Sequence, residues 1–67
     1  MRIRKQQFFA DILHDRRVQP ELYHYVVQQD GSNVILSWSQ EYTEEAAIRS
    51  AEGELDRLVD EEKREAS

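Results

Sequence analysis

From Thr43 onward, apolar residues return every three or four positions. Ala47, Ile48, Ala51, Leu55, Leu58 and Val59 fall on one stripe of a helix. Thr43 is placed to cap that helix, and Glu44 and Glu45 sit in its first turn, where carboxylates favour the dipole. Glu45–Arg49 and Asp60–Arg64 are i,i+4 pairs in the favourable order. Gly53 costs about 1 kcal/mol relative to alanine: either a close contact needs its missing side chain, or a helix of this length tolerates it. After Val59 the run Asp-Glu-Glu-Lys-Arg-Glu offers no apolar anchor, so residues 60–67 are expected to fray as a tail.

Upstream the pattern is mixed. Residues 22–28, Leu-Tyr-His-Tyr-Val-Val-Gln, are aromatic and β-branched and read as a strand. Asp30-Gly31 follows, a hairpin signal because glycine supplies positive φ without steric cost. Residues 34–40, Val-Ile-Leu-Ser-Trp-Ser-Gln, form the expected return strand. Residues 5–16 read as a short helix. Phe8–Ile12 and Phe9–Leu13 are i,i+4 pairs, and Arg16 and Arg17 suit a helix C-terminus ahead of Pro20. The predicted fold class is therefore α+β: a single domain, 1–67, in α-β-β-α order. Its antiparallel hairpin packs on the long C-terminal helix. A strand of seven residues spans about 23 Å and helix 43–59 about 26 Å, so the two can lie alongside each other.

The predicted hairpin is greasy on both sides. Strand 22–28 carries Leu22, His24 and Val26 on one side and Tyr23, Tyr25 and Val27 on the other. A sheet with one wet face should alternate cleanly, and an isolated hairpin leaves two open edges. Either the two predicted helices lie on opposite faces and close the domain, or both lie on one face and two chains pair their hairpins into a four-stranded sheet. The candidate partner or dimer surface is Tyr23, Tyr25, Val27 and Ile35, with a second copy of the chain as the simplest occupant.

Length and composition narrow the picture. At 67 residues there is room for one domain with a thin stability margin, and no cysteine supplies a disulfide or thiolate metal site. The basic start is followed by Gln6-Gln7 and Asp11, too polar for a signal-peptide core. No apolar run approaches the ~18 residues that span a bilayer. A cytoplasmic protein is the expectation. The net charge of −5 is uneven. Arg2, Arg4, Lys5, Arg16 and Arg17 form a candidate basic patch, while the final helix is strongly acidic.

Candidate chemistry is sparse. Ser37 and Ser39 lie near no nucleophile-elbow motif, and a chain this small has little room for a substrate cavity. Asp11, His14 and Asp15 would share one side of a helix over 5–16, but such a trio is commonly a solvated polar face. The span Asp30–Glu41 has the length of an EF-hand loop, yet Val34 and Leu36 fall at its positions 5 and 7, and Ile35 at position 6, where its turn requires glycine. No cofactor, metal or catalytic residue is expected. Nucleic-acid binding would use the basic patch with Tyr23, Tyr25 and Trp38 as stacking platforms, against the opposition of the acidic helix. That helix could itself imitate a row of phosphates, although Arg49, Arg57, Lys63 and Arg64 lace it as they would an ordinary solvated face.

Asp30-Gly31, the run Ser39-Gln-Glu-Tyr42-Thr43 and the following Ala47 and Ala51 give the stretch Tyr25–Leu58 a resemblance to small bacterial ββα domains of unknown function, the YegP-like family among them. The resemblance spans about half of the chain. It implies the hairpin-plus-helix fold and no activity. The family's additional Asn-Gly turn is missing, and residues 1–20 have no counterpart. Together these readings predict a small, non-enzymatic, bacterial-type protein-interaction module, homodimeric. The alternative is a nucleic-acid-associated protein that uses the basic N-terminal segment.

Overall fold

A computed structural model describes residues 1–66. Four strands precede one helix: β1 Arg2–Lys5, β2 Phe8–Asp15, β3 Leu22–Gln29, β4 Ser37–Glu41 and α1 Glu44–Ala66. The strands form one antiparallel sheet in the order β1-β2-β3-β4, each paired with its neighbour in sequence. The α+β class is as expected, and the α-β-β-α order is not. Residues 5–16 are not a helix: they complete β1, turn, and form β2.

The reason lies in parity. Phe8, Ala10 and Ile12 are buried against α1, while Phe9, Asp11 and Leu13 point to the other side. A spacing of four satisfies both a helix stripe and one side of a strand. The pairs Phe8–Ile12 and Phe9–Leu13 therefore could not distinguish the two. The small Ala10, opposite Val27 in β3, completes the inward row. The turn that frees β2 from β1 is Gln6-Gln7, with Gln6 at φ 54°. It lacks the glycine, asparagine or aspartate that ordinarily marks such a turn.

β3 agrees with the predicted strand. β4 begins later than expected, so Val34, Ile35 and Leu36 belong to the β3–β4 connection. Gly31, at φ 78°, makes the turn after Asp30. The Gln19–Pro20 peptide bond in the β2–β3 connection is cis.

Helix α1 begins as the sequence indicates. The Thr43 hydroxyl oxygen accepts a hydrogen bond from the Ala46 backbone N–H at 3.1 Å, and Glu44 and Glu45 occupy the first turn. Ala47, Ala51, Leu55 and Val59 are its buried row and meet Phe8, Ala10, Ile12, Tyr25 and Val27 of the sheet. Alanines at Ala47 and Ala51 leave little side chain between helix and sheet. The Tyr25 hydroxyl, reaching past them, shares a 2.8 Å hydrogen bond with Ser50 Oγ. Residues 60–66, expected to fray, continue the helix; Ser67, the end of that expected tail, lies outside the described residues. Extending a formed helix is cheap, and Arg57–Glu61 and Asp60–Arg64 pair along it at 2.7 and 3.1 Å.

Candidate functional site

Because β-strand side chains alternate, the register divides the sheet into two surfaces. Ile3, Phe8, Ala10, Ile12, Tyr25 and Val27 face α1. The opposite surface carries cross-strand rows that run Arg2–Asp11–Val26–Trp38, Arg4–Phe9–Gln28 and Leu13–His24–Gln40. Among the described residues, no helix or strand covers that second surface. Trp38 is 65% exposed and Leu13 58% exposed, while Phe9 and Val26 are half-buried between their neighbours. Phe9, Leu13 and Trp38 are grouped around Val26, with Asp11, held by Arg2, and His24 set among them.

This outcome corrects the predicted partner surface. Tyr25 is 4% exposed and Val27 fully buried beneath α1, and Tyr23 packs partly buried against the same core. They are core residues, because the odd-numbered side of β3 is the side the helix takes. Ile35 is exposed but lies in the connection before β4. The greasiness of β3 on both sides is thus partly satisfied within the chain. Leu22, His24 and Val26 remain half-buried on the uncovered surface.

The candidate basic patch is likewise dispersed. Arg2 and Arg4 lie on the uncovered surface, Lys5 turns to the helix side, and Arg16 and Arg17 sit at the opposite end of β2. Arg2 pairs with Asp11 at 2.7 Å and places its guanidinium 4.3 Å above the Phe9 ring. Arg4 pairs with Asp30, and Lys5 with Asp56 of α1. Arg17 pairs with Asp15 at 3.1 Å, and Arg16 donates from Nε to His14 Nδ1. The Asp11 hydrogen bond raises the Arg2 guanidinium above its ordinary value. The Arg4 hydrogen bond lowers the Asp30 carboxyl. Hydrogen bonds from the Arg17 side chain and backbone N–H bring Asp15 down to about 2.

Residues considered for chemistry are separated by the same alternation. Asp11 and Asp15 lie on the uncovered surface, whereas His14 turns to the helix side, stacks on Tyr23 at 4.3 Å and bonds Glu21 at 2.8 Å. Among the described residues no group of three or more metal-ligating side chains converges. Ser37 and Ser39 face the helix side of β4, and His24 faces away from them. A shallow open cleft of about 210 Å³ lies between β1 and α1, lined by Ile3, Arg4, Lys5, Glu52, Leu55 and Asp56. The Lys5–Asp56 ion pair sits in it.

Sequence reasoning missed the feature that distinguishes the two sheet edges. At one end β1 is Arg-Ile-Arg-Lys, charged at three of four positions. At the other β4 is Ser-Trp-Ser-Gln-Glu, with a single charge at its end. Exposed Val34, Ile35 and Leu36 precede it. The signal lies in residues 34–38, Val-Ile-Leu-Ser-Trp, but a lone hairpin has two open edges and its sequence alone sets neither apart. No helix among the described residues is long and apolar enough to cross a membrane. No family model, curated protein or solved structure matches this chain.

Proposed function

We propose that this chain is a small non-enzymatic protein-interaction module that works as a homodimer and presents the uncovered side of its sheet. The observation that carries this is the exposure of Trp38 and Leu13, on either side of half-buried Val26, on a sheet surface that no element among the described residues covers. Contiguous exposed apolar surface rimmed by polar groups is characteristic of contact sites. A buried tryptophan is also among the strongest anchors at protein interfaces.

The ion pairs count against the nucleic-acid alternative. Arg2, Arg4, Lys5 and Arg17 each already face a carboxylate of this chain. Phosphate contacts would have to displace those partners, and counterion release would gain little. Of the aromatics that would stack bases, Tyr25 is buried and Tyr23 packs against the core, which leaves Trp38. A bacterial, cytoplasmic setting fits the composition and remains part of this proposal.

The test uses the single tryptophan of the chain. Static light scattering and Trp38 emission are followed from about 1 to 500 μM, a range that brackets weak dimers. A mass rising from 8.0 toward 16 kDa, with a concentration-dependent change in Trp38 emission, supports the homodimer. A constant 8.0 kDa with constant emission overturns it.

A further inference from the structure

We infer that a second copy of this chain adds to the β4 edge, antiparallel, with the two-fold axis beside Ser39, so that two four-stranded sheets become one of eight strands. This arrangement rests on the homodimeric reading above and specifies its contact.

The two edges of the sheet are not equivalent. Edge strands expose unpaired N–H and C=O groups and recruit other strands unless charge, proline or a bulge prevents it. β1 has that protection: Arg2, Arg4 and Lys5 are charged and held by Asp11, Asp30 and Asp56. β4 lacks it, having neither lysine, arginine nor proline. The residues leading into it, Val34, Ile35 and Leu36, are exposed, so the window Val-Ile-Leu-Ser-Trp is apolar, uncharged and rich in strand formers. Such a window at an edge is an aggregation hazard unless a defined partner closes it.

A second copy fits this edge because the strand is complementary to itself. Centring the axis on Ser39 uses all of Ser37–Glu41. Ser39 then lies opposite its own copy, Trp38 opposite Gln40, and Ser37 opposite Glu41. The one charge on the strand meets a serine, and no like charges oppose. The two Trp38 side chains become diagonal neighbours on the uncovered surface, about 7–8 Å apart and within reach of aromatic rings. Just beyond the strand, exposed Leu36 comes opposite exposed Tyr42. The acidic helices also permit it. Each α1 lies mainly over β2 and β3. At about 4.8 Å per strand the two helices stand about 19 Å apart, beyond the ~8 Å screening length at physiological salt. An isologous contact closes after two copies, which removes the exposed edge instead of propagating it.

Cysteine cross-linking tests the register, since the chain has no cysteine of its own. Ser39→Cys, Ser37→Cys and Leu13→Cys are each oxidised mildly at a concentration where the wild type is dimeric by light scattering. Directly opposed strand residues meet disulfide geometry. Ser37 and its copy would be about 13 Å apart. The expected result is cross-linking of Ser39→Cys at least tenfold faster than of the other two, abolished in denaturant. Should circular dichroism show Ser39→Cys unfolded, a mixture of Trp38→Cys and Gln40→Cys, both at exposed positions, reads the same register as a mixed disulfide. Fastest cross-linking at Leu13→Cys means that the uncovered surfaces stack face to face. Fastest cross-linking at Ser37→Cys means a different strand register. The first overturns the edge arrangement and the second its centring on Ser39, and both leave the homodimer standing. A wild-type mass fixed at 8.0 kDa, with Ser39→Cys uncross-linked, overturns the edge arrangement and the homodimer alike.

Discussion

Gln6 carries the backbone conformation that makes the four-stranded sheet possible. It sits at φ 54° in the two-residue connection between Lys5 and Phe8. A side chain in that left-handed region costs about 1–2 kcal/mol, a strain glycine does not have. Glycine in turn loses about 0.5–1 kcal/mol through its freer unfolded state. Gln6→Gly is therefore expected to raise stability by about 0.5–1 kcal/mol, read as a higher urea midpoint with an unchanged slope. Valine at the same site is expected to lower the midpoint, because a β-branched residue resists positive φ. Asp15 makes a second prediction, on pH. Its carboxyl is held down to about 2 by the Arg17 side chain and backbone N–H, against an ordinary 3.8. A depressed acid stabilises the folded state above its unfolded value, and that contribution disappears as pH falls through the folded value. Wild type should thus exceed Asp15→Asn in urea resistance at pH 6. The gap should narrow below about pH 4 and close near pH 2. A gap that stays constant across that range would show that the Arg17 contacts do not act on Asp15 in solution.

Helix α1 was legible and β1–β2 was not, and the difference is physical. The helix declares itself through a cap, a dipole-compatible first turn and a stripe repeated over four turns, so each local signal agrees with the packed result. Gly53, the one dissonant residue, has no neighbour within 4 Å of where a Cβ would sit. No close approach requires it. Gly53→Ala should accordingly raise stability by about 1 kcal/mol, seen in thermal and urea unfolding. Conversely, Thr43→Ala removes the hydroxyl that caps Ala46 and should cost about 1 kcal/mol. In the first fifteen residues no comparable agreement exists. Six consecutive residues, Phe8–Leu13, satisfy a helical and an alternating pattern equally, and the turn before them uses glutamines. What decides for strand is tertiary. β2 lies between β1 and β3, and the inward row Phe8, Ala10, Ile12 completes the floor beneath α1. Without β1 and β2 in view, β3 looked like half of a lone hairpin. Nothing local shows that α1 takes the side of Tyr23, Tyr25 and Val27, so the sequence alone assigns that row to a partner. The exposed surface followed once the parity of β2 was known, since Leu13 and Trp38 share the side that α1 leaves open.

At the scale of the whole molecule, a few surface ion pairs offset part of the charge separation along the sequence. Lys5 of the basic start meets Asp56 of the acidic helix, and Arg2 and Arg4 are matched within the sheet. Exposed pairs of this kind contribute little to stability, so the core must carry the fold. That core is thin: apart from Phe8 and Tyr25, its large members are Ile12, Val27, Leu55 and Val59. A chain of this length is expected to have about 3–10 kcal/mol of stability. Leu55, 1% exposed and central to the helix–sheet contact, is expected to cost about 3 kcal/mol when replaced by alanine. Leu55→Ala should then be largely unfolded as a monomer if the wild type lies at the lower end of that range. Self-association changes the outcome by mass action, because a dimer that forms only from folded chains draws the equilibrium back. Leu55→Ala should regain helical circular dichroism between 5 and 500 μM, and the wild-type thermal midpoint should rise over the same range. A midpoint independent of concentration would mean that the folded monomer is complete in itself. The exposure of Trp38 and Leu13 would then contribute nothing to the stability of the fold.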